Sequence, residues 1–85
     1  MVKTVHDPKF TKAFSKIKHK GFQEQIIKLI EKIIKNPEIG KPMRFDRRGT
    51  REVYISPYRL SYAYLKNEDK IIFLDLSSFS FEDES

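Results

Sequence analysis

Apolar side chains recur at three- and four-residue steps from Phe10 to Ile34 and at two-residue steps from Val53 onward, so the pattern divides the chain into a helical half and a sheet half. Val2 to Val5 is a short β-branched stretch and reads as an opening strand. Asp7 followed by Pro8 is a helix start, with the aspartate as N-cap and the proline at the first helical position. Phe10, Phe14 and Ile17 form the stripe of the first helix, with Lys9, Lys12, Lys16 and Lys18 mostly off it. Lys20-Gly21 interrupts the pattern and predicts the turn between two helices. The stripe resumes through Phe22, Ile26, Leu29, Ile30, Ile33 and Ile34, and Asn36-Pro37 stops it, because proline disfavours a helical residue before it. The spacing predicts an antiparallel helical hairpin, each helix burying one face.

A loop with Pro37, Gly40 and Pro42 follows, and then the alternation begins. Val53 and Ile55 share one face against Glu52 and Tyr54. After a turn at Ser56-Pro57, Leu60, Tyr62 and Tyr64 oppose Arg59, Ser61 and Ala63. Lys66 to Asp69 is a polar turn. Ile71 to Leu76 is nearly continuous in apolar residues and predicts a central strand with both faces partly covered. The order β-α-α-β-β-β predicts an α+β fold: an N-terminal strand and an antiparallel helical hairpin packed on one face of a small antiparallel sheet. The expected domain is single and spans residues 1–85, since 85 residues support one core.

Composition narrows the setting. There is no cysteine, which excludes disulfide staples and thiolate metal sites and suits a reducing, cytoplasmic compartment. No apolar run reaches the ~20 residues of a membrane span, and no apolar signal segment opens the chain, so a soluble, unprocessed protein without a membrane partner is expected. The formal net charge of +5 favours an anionic partner. No group of His, Cys and carboxylates has metal-ligand spacing, and no glycine-rich phosphate loop or nucleophilic triad appears, so neither a metal nor a cofactor is expected.

The positive charge is of two kinds. Lysines are scattered, whereas every arginine lies between Arg44 and Arg59: Arg44, Arg47, Arg48, Arg51 and Arg59. A guanidinium is planar, permanently charged and able to grip a phosphate with two bonds, so this cluster marks a candidate anion site. The sheet pattern leads the cluster onto a strand face that the hairpin leaves open.

Gly40-Lys41-Pro42, the basic run Arg47-Arg48-Gly49-Thr50-Arg51-Glu52-Val53-Tyr54, then Tyr58-Arg59-Leu60-Ser61-Tyr62 and Ile71-Ile72-Phe73-Leu74 together resemble the RelE/ParE toxin superfamily, particularly archaeal RelE-like toxins. The resemblance covers nearly the whole chain, and its most specific piece is Y-R-L-x-Y after a turn. It implies a RelE-like toxin domain, neutralised by a small acidic antitoxin that wraps around it. RelE-like members cut messenger RNA on the ribosome and are mRNA interferases; ParE-like members inhibit DNA gyrase.

Metal-free RNA cleavage uses the neighbouring 2′-hydroxyl as nucleophile and needs a base, an acid and positive charge on the phosphorane. Arginines supply the last. The resemblance places Arg59 on the scissile phosphate, with Arg51 and Arg48 as further catalytic candidates. Arg44, Arg47, Tyr54 and Tyr58 are candidate RNA contacts, the tyrosines by stacking on bases. Each has a plainer reading: Arg59 paired with Glu52 or Asp75 across the sheet, and the tyrosines filling a sheet face. Active relatives carry a histidine or a basic residue and a tyrosine just beyond the last strand, where this chain has Ser77-Ser78-Phe79-Ser80-Phe81 and Glu82 to Glu84. Glu52 could serve as a base or pair with an arginine. His6 and His19 are expected to be structural or surface residues, His19 at the end of the first helix. The expected activity is ribosome-dependent mRNA cleavage. The alternatives are a weakly active or non-catalytic toxin-fold binder of gyrase, RNA or antitoxin, or an unrelated small basic RNA-binding protein.

Overall fold

The computed structural model describes residues 2–42 and 49–78. Strand β1 (Lys3–His6) is followed by helices α1 (Pro8–Ser15) and α2 (Lys20–Lys35), the short β2 (Lys41–Pro42), and strands β3 (Thr50–Ile55), β4 (Tyr58–Leu65) and β5 (Lys70–Ser78). A 3₁₀ turn at Lys66–Glu68 joins the last two strands, and Asp69 follows it in the left-handed region (φ 53°). The sheet order is β1-β5-β4-β3-β2. The Ser56–Pro57 peptide between β3 and β4 is cis.

The α+β reading holds, with three differences. First, the sheet is mixed, because β1 runs parallel to β5 (Val5 opposite Ile72), while the other pairs are antiparallel. Side-chain alternation is the same in either direction, so the pattern carried no signal for it. Second, Lys41 and Pro42, expected in a loop, pair with Glu52 and Arg51 as an edge strand, a position that tolerates proline. Third, the helices part at Lys16 to His19 rather than at Lys20-Gly21.

That third difference has a local cause. His19 is not the end of α1 but the N-cap of α2, where its Nδ1 accepts from the Phe22 N–H at 3.3 Å. Gly21 belongs to the first turn of α2: a Cβ there would lie 2.9 Å from the His19 ring, so the glycine makes room for the cap. The other helix signals act as expected. The Asp7 carboxylate accepts from the Lys9 N–H at 2.8 Å, Pro8 opens α1, and α2 ends at Asn36.

Both helices cover one face of the sheet. Phe10, Ile17, Ile26 and Ile33 pack there on Leu60, Tyr62, Ile71, Phe73 and Leu76. Phe73 and Leu76 are three residues apart yet share this face, because the β4–β5 register shifts at Ser61/Tyr62: Ser61 opposes Asp75, but Tyr62 opposes Phe73. The extra residue re-aims the end of β5 without breaking the core.

Candidate functional site

Strand alternation sorts the predicted site residues onto two faces. On β4, Leu60 and Tyr62 point to the helices, so Arg59, Ser61 and Ala63 occupy the outer face. The register brings Tyr54 of β3 and Ser77 of β5 to either side of Arg59, and Glu52 and Asp75 to either side of Ser61. Lys41 of β2 stands across from Glu52. The outer face thus joins Arg59, Tyr54, Glu52, Ser61, Asp75, Ser77 and Lys41. Its described part mixes charges, Arg59 and Lys41 with Glu52 and Asp75.

Arg59 is half-buried, and among the described residues it makes no hydrogen bond or ion pair. Its cross-strand neighbours are a phenol and a hydroxyl rather than the carboxylates of the plainer reading. Glu52 instead accepts from the Tyr54 hydroxyl at 3.1 Å, and the Asp75 carboxylate accepts from the Leu76 N–H at 2.8 Å. Tyr54 is 53% exposed, the most open of the large apolar or aromatic side chains described. Arg59 and Tyr54 therefore form a cation beside an accessible ring, a pairing that can grip a phosphate and flank a base.

Arg51 is placed elsewhere. It opposes Tyr62 and so lies on the helix side, where its Nη1 donates to the carbonyls of Gly40 (2.7 Å) and Glu38 (3.1 Å). The Tyr62 hydroxyl beside it donates to the Pro37 carbonyl at 2.7 Å and accepts from the Gly40 N–H at 3.0 Å. Two adjacent side chains of the sheet thus satisfy four backbone groups of the turn leading into β2. Burial pushes the Tyr62 phenol above its usual range; the Gly40 N–H and the Arg51 charge act against the shift, and Glu38 adds to it. Gly40 fits beneath this clamp only for want of a side chain, since a Cβ would lie 2.8 Å from the Tyr62 hydroxyl oxygen and 3.1 Å from the Glu52 carbonyl oxygen.

Tyr58 also faces the helices and meets Phe22 edge to face, with ring centroids 5.7 Å apart. It does not share the face of Arg59 and Tyr54. Arg44, Arg47 and Arg48 lie outside the described residues. Neither histidine joins Arg59: His6 stacks on Phe73 and lies tilted against Phe10 at the helix side of β1, and His19 caps α2. Sequence reasoning gave Tyr62 and Gly40 no role in the site, although both stand in the motifs it singled out. A signal for Arg51 was available, since two-residue alternation from Val53 and Ile55 assigns it to the buried face.

The chain matches the family model described as the ParE toxin of type II toxin–antitoxin systems, parDE, over residues 6–79. No curated protein matches it. Among solved structures it is similar to a chain of the intact E. coli RelBE toxin–antitoxin complex (TM-score 0.79, 17% identity, covering 92% of this chain and 96% of that one). The isolated E. coli RelE toxin is equally similar in fold (TM-score 0.79, 18% identity, 92% and 84% covered). A chain of the RelBE2 toxin–antitoxin complex of Mycobacterium tuberculosis follows (TM-score 0.77, 16% identity, 91% and 96% covered). At such identities the likeness is one of fold, and it is a RelE-like fold. The family match spans most of the chain, and the protein belongs to the ParE toxin family of type II toxin–antitoxin systems.

Proposed function

We propose that this toxin-family protein acts on messenger RNA at the ribosome, cleaving it with Arg59 held against the scissile phosphate. The observation that carries the reading is Arg59 itself: a permanent cation on the outer sheet face, unpaired among the described residues, beside the exposed ring of Tyr54. A fixed guanidinium stabilises the charge that builds on a phosphorane, and a neighbouring ring holds a base in place. Glu52, bonded to the Tyr54 hydroxyl on the same face, is the nearest described group on β3 that could take a proton from a 2′-hydroxyl. Arg48 would add charge to the phosphate, and Arg44 and Arg47 would hold the RNA backbone. Arg51 serves the site by holding the turn into β2. An antitoxin is the protein partner, in keeping with the toxin–antitoxin complexes that share the fold, and the cytoplasm is the compartment.

The test is purified protein added to ribosomes programmed with a defined message. Cleavage within the A-site codon supports the proposal, and intact message after prolonged incubation refutes it. One observation favours a second reading, inhibition of DNA gyrase: both imidazoles of the chain stand on the helix side, away from Arg59. Loss of gyrase supercoiling activity together with intact message would establish that reading.

A further inference from the structure

Resting on the reading of the outer sheet face as an RNA surface, we infer that Lys41 grips a second phosphate of the strand held by Arg59, and that Tyr62 and Arg51 are positioning residues for it. Lys41 is exposed on the edge strand β2, and among the described residues its side chain makes no hydrogen bond or ion pair. It stands across from Glu52, an outer-face residue, whereas Pro42 stands across from the inward Arg51. The Lys41 side chain therefore shares the outer face with Arg59. Two strand spacings of ~4.8 Å and one two-residue step of ~6.8 Å put their Cα atoms roughly 12 Å apart. One extended strand of RNA crossing from β4 to β2 then meets the two cations with different phosphates. Charge on the face calls for such a second cation. Among the described residues near Arg59, Glu52 and Asp75 set two carboxylates against one guanidinium, and a polyanion would be repelled where it passes Glu52. Lys41, directly across from Glu52, offsets it there. Lys3 and Lys70 reach the same face by alternation, but Lys70 pairs with Glu68 at 3.9 Å. Both stand level with Leu65, about 20 Å along the strands from Arg59.

A lysine on a two-residue edge strand is ordinarily poorly placed, because the ladder on its one paired side is short. Here the residue before it is held at both ends. The Gly40 N–H donates to the Tyr62 hydroxyl at 3.0 Å, and the Gly40 carbonyl accepts from Arg51 Nη1 at 2.7 Å. That carbonyl belongs to the same planar peptide unit as the Lys41 nitrogen, so the Arg51 bond fixes the plane from which the Lys41 Cα departs. Glu38 of the same turn also pairs with Lys66 at 3.7 Å. Bonds made on the helix side of β3 and β4 thus set the direction of a side chain on the opposite face. A cation held this way loses less freedom when it grips a phosphate.

The experiment is fluorescence anisotropy on the full chain with a short labelled single-stranded RNA of mixed sequence, over a series of salt concentrations. Circular dichroism verifies that each variant is folded. Lys41→Met is expected to reduce the slope of log affinity against log salt by about 0.7, the value of one single-strand phosphate contact, which weakens binding about fivefold at ~0.1 M salt. Lys41→Arg should restore both, and Lys28→Met on α2, with the same loss of charge, should leave the slope unchanged. Tyr62→Phe alters no charge and should weaken binding about two- to fivefold when Lys41 is present but not in a Lys41→Met background, a coupling that a merely structural role would not produce. Arg51→Lys keeps the charge but not both carbonyl bonds; it should behave alike, and it serves in place of Tyr62→Phe should that variant be unfolded. An unchanged slope in Lys41→Met, an equal change in Lys28→Met, or equal losses from the clamp variants in both backgrounds would overturn the inference, as would no binding of RNA by the wild type. A Lys41-dependent slope with message left intact on ribosomes would instead refute cleavage and leave this contact standing.

Discussion

Replacing Tyr62 with phenylalanine removes one oxygen and nothing else from the core, yet it takes away two of the four bonds that fix the turn before β2. The Gly40 N–H loses its acceptor inside a buried site, and leaving a buried donor unsatisfied costs about 1–3 kcal/mol. The Pro37 carbonyl is half-buried and can recover water, so its loss adds about 0.5–1 kcal/mol. A total of about 1.5–4 kcal/mol is a large share of the ~4–13 kcal/mol expected of a domain of this size. In urea the midpoint should fall by about 1–3 M at unchanged slope. Arg51→Met should cost less, about 1 kcal/mol, because the guanidinium is only half-buried and the freed carbonyls can hydrate. The two substitutions act on one turn, so their effects should fail to add. A Tyr62→Phe protein within about 0.5 kcal/mol of the wild type would refute the claim that this clamp holds the turn.

Further outcomes follow from the same contacts. Gly40→Ala should destabilise by about 1–3 kcal/mol, since its methyl meets a ring that is itself bonded on both sides and cannot retreat; urea melts check this. Because the folded state raises the Tyr62 pKa above its ordinary 10.0, it retains the proton more firmly than the unfolded chain does. The associated stability is therefore intact below about pH 10 and declines as pH rises through that value, a loss that Tyr62→Phe should reduce in alkaline melts. Asp7→Ala should cost about 1 kcal/mol through loss of the α1 cap, with the loss appearing in thermal melts.

How much of this was legible depends on whether the cause is local. Asp7-Pro8 and Asn36-Pro37 announce helix ends through their own backbone chemistry, and both ends fall where those residues stand. Gly21 misled because its purpose is not a turn but space for a histidine two residues earlier. The direction of β1 and the register shift between Phe73 and Asp75 depend on partners distant in sequence, and alternation is silent on both. The candidate site divides in the same way. Parity along β4 assigns Arg59 to the outer face without any tertiary information. The same parity along β3 turns Arg51 inward, but its carbonyl partners lie across the sheet in a turn that no periodicity connects to it.

The proposed cleavage rests most directly on Arg59. In a programmed-ribosome assay, Arg59→Ala should leave the urea midpoint nearly unchanged while slowing message cleavage about 10²- to 10³-fold, the loss expected when a group that stabilises developing charge is removed. Cleavage by the Arg59→Ala protein at the wild-type rate would contradict it.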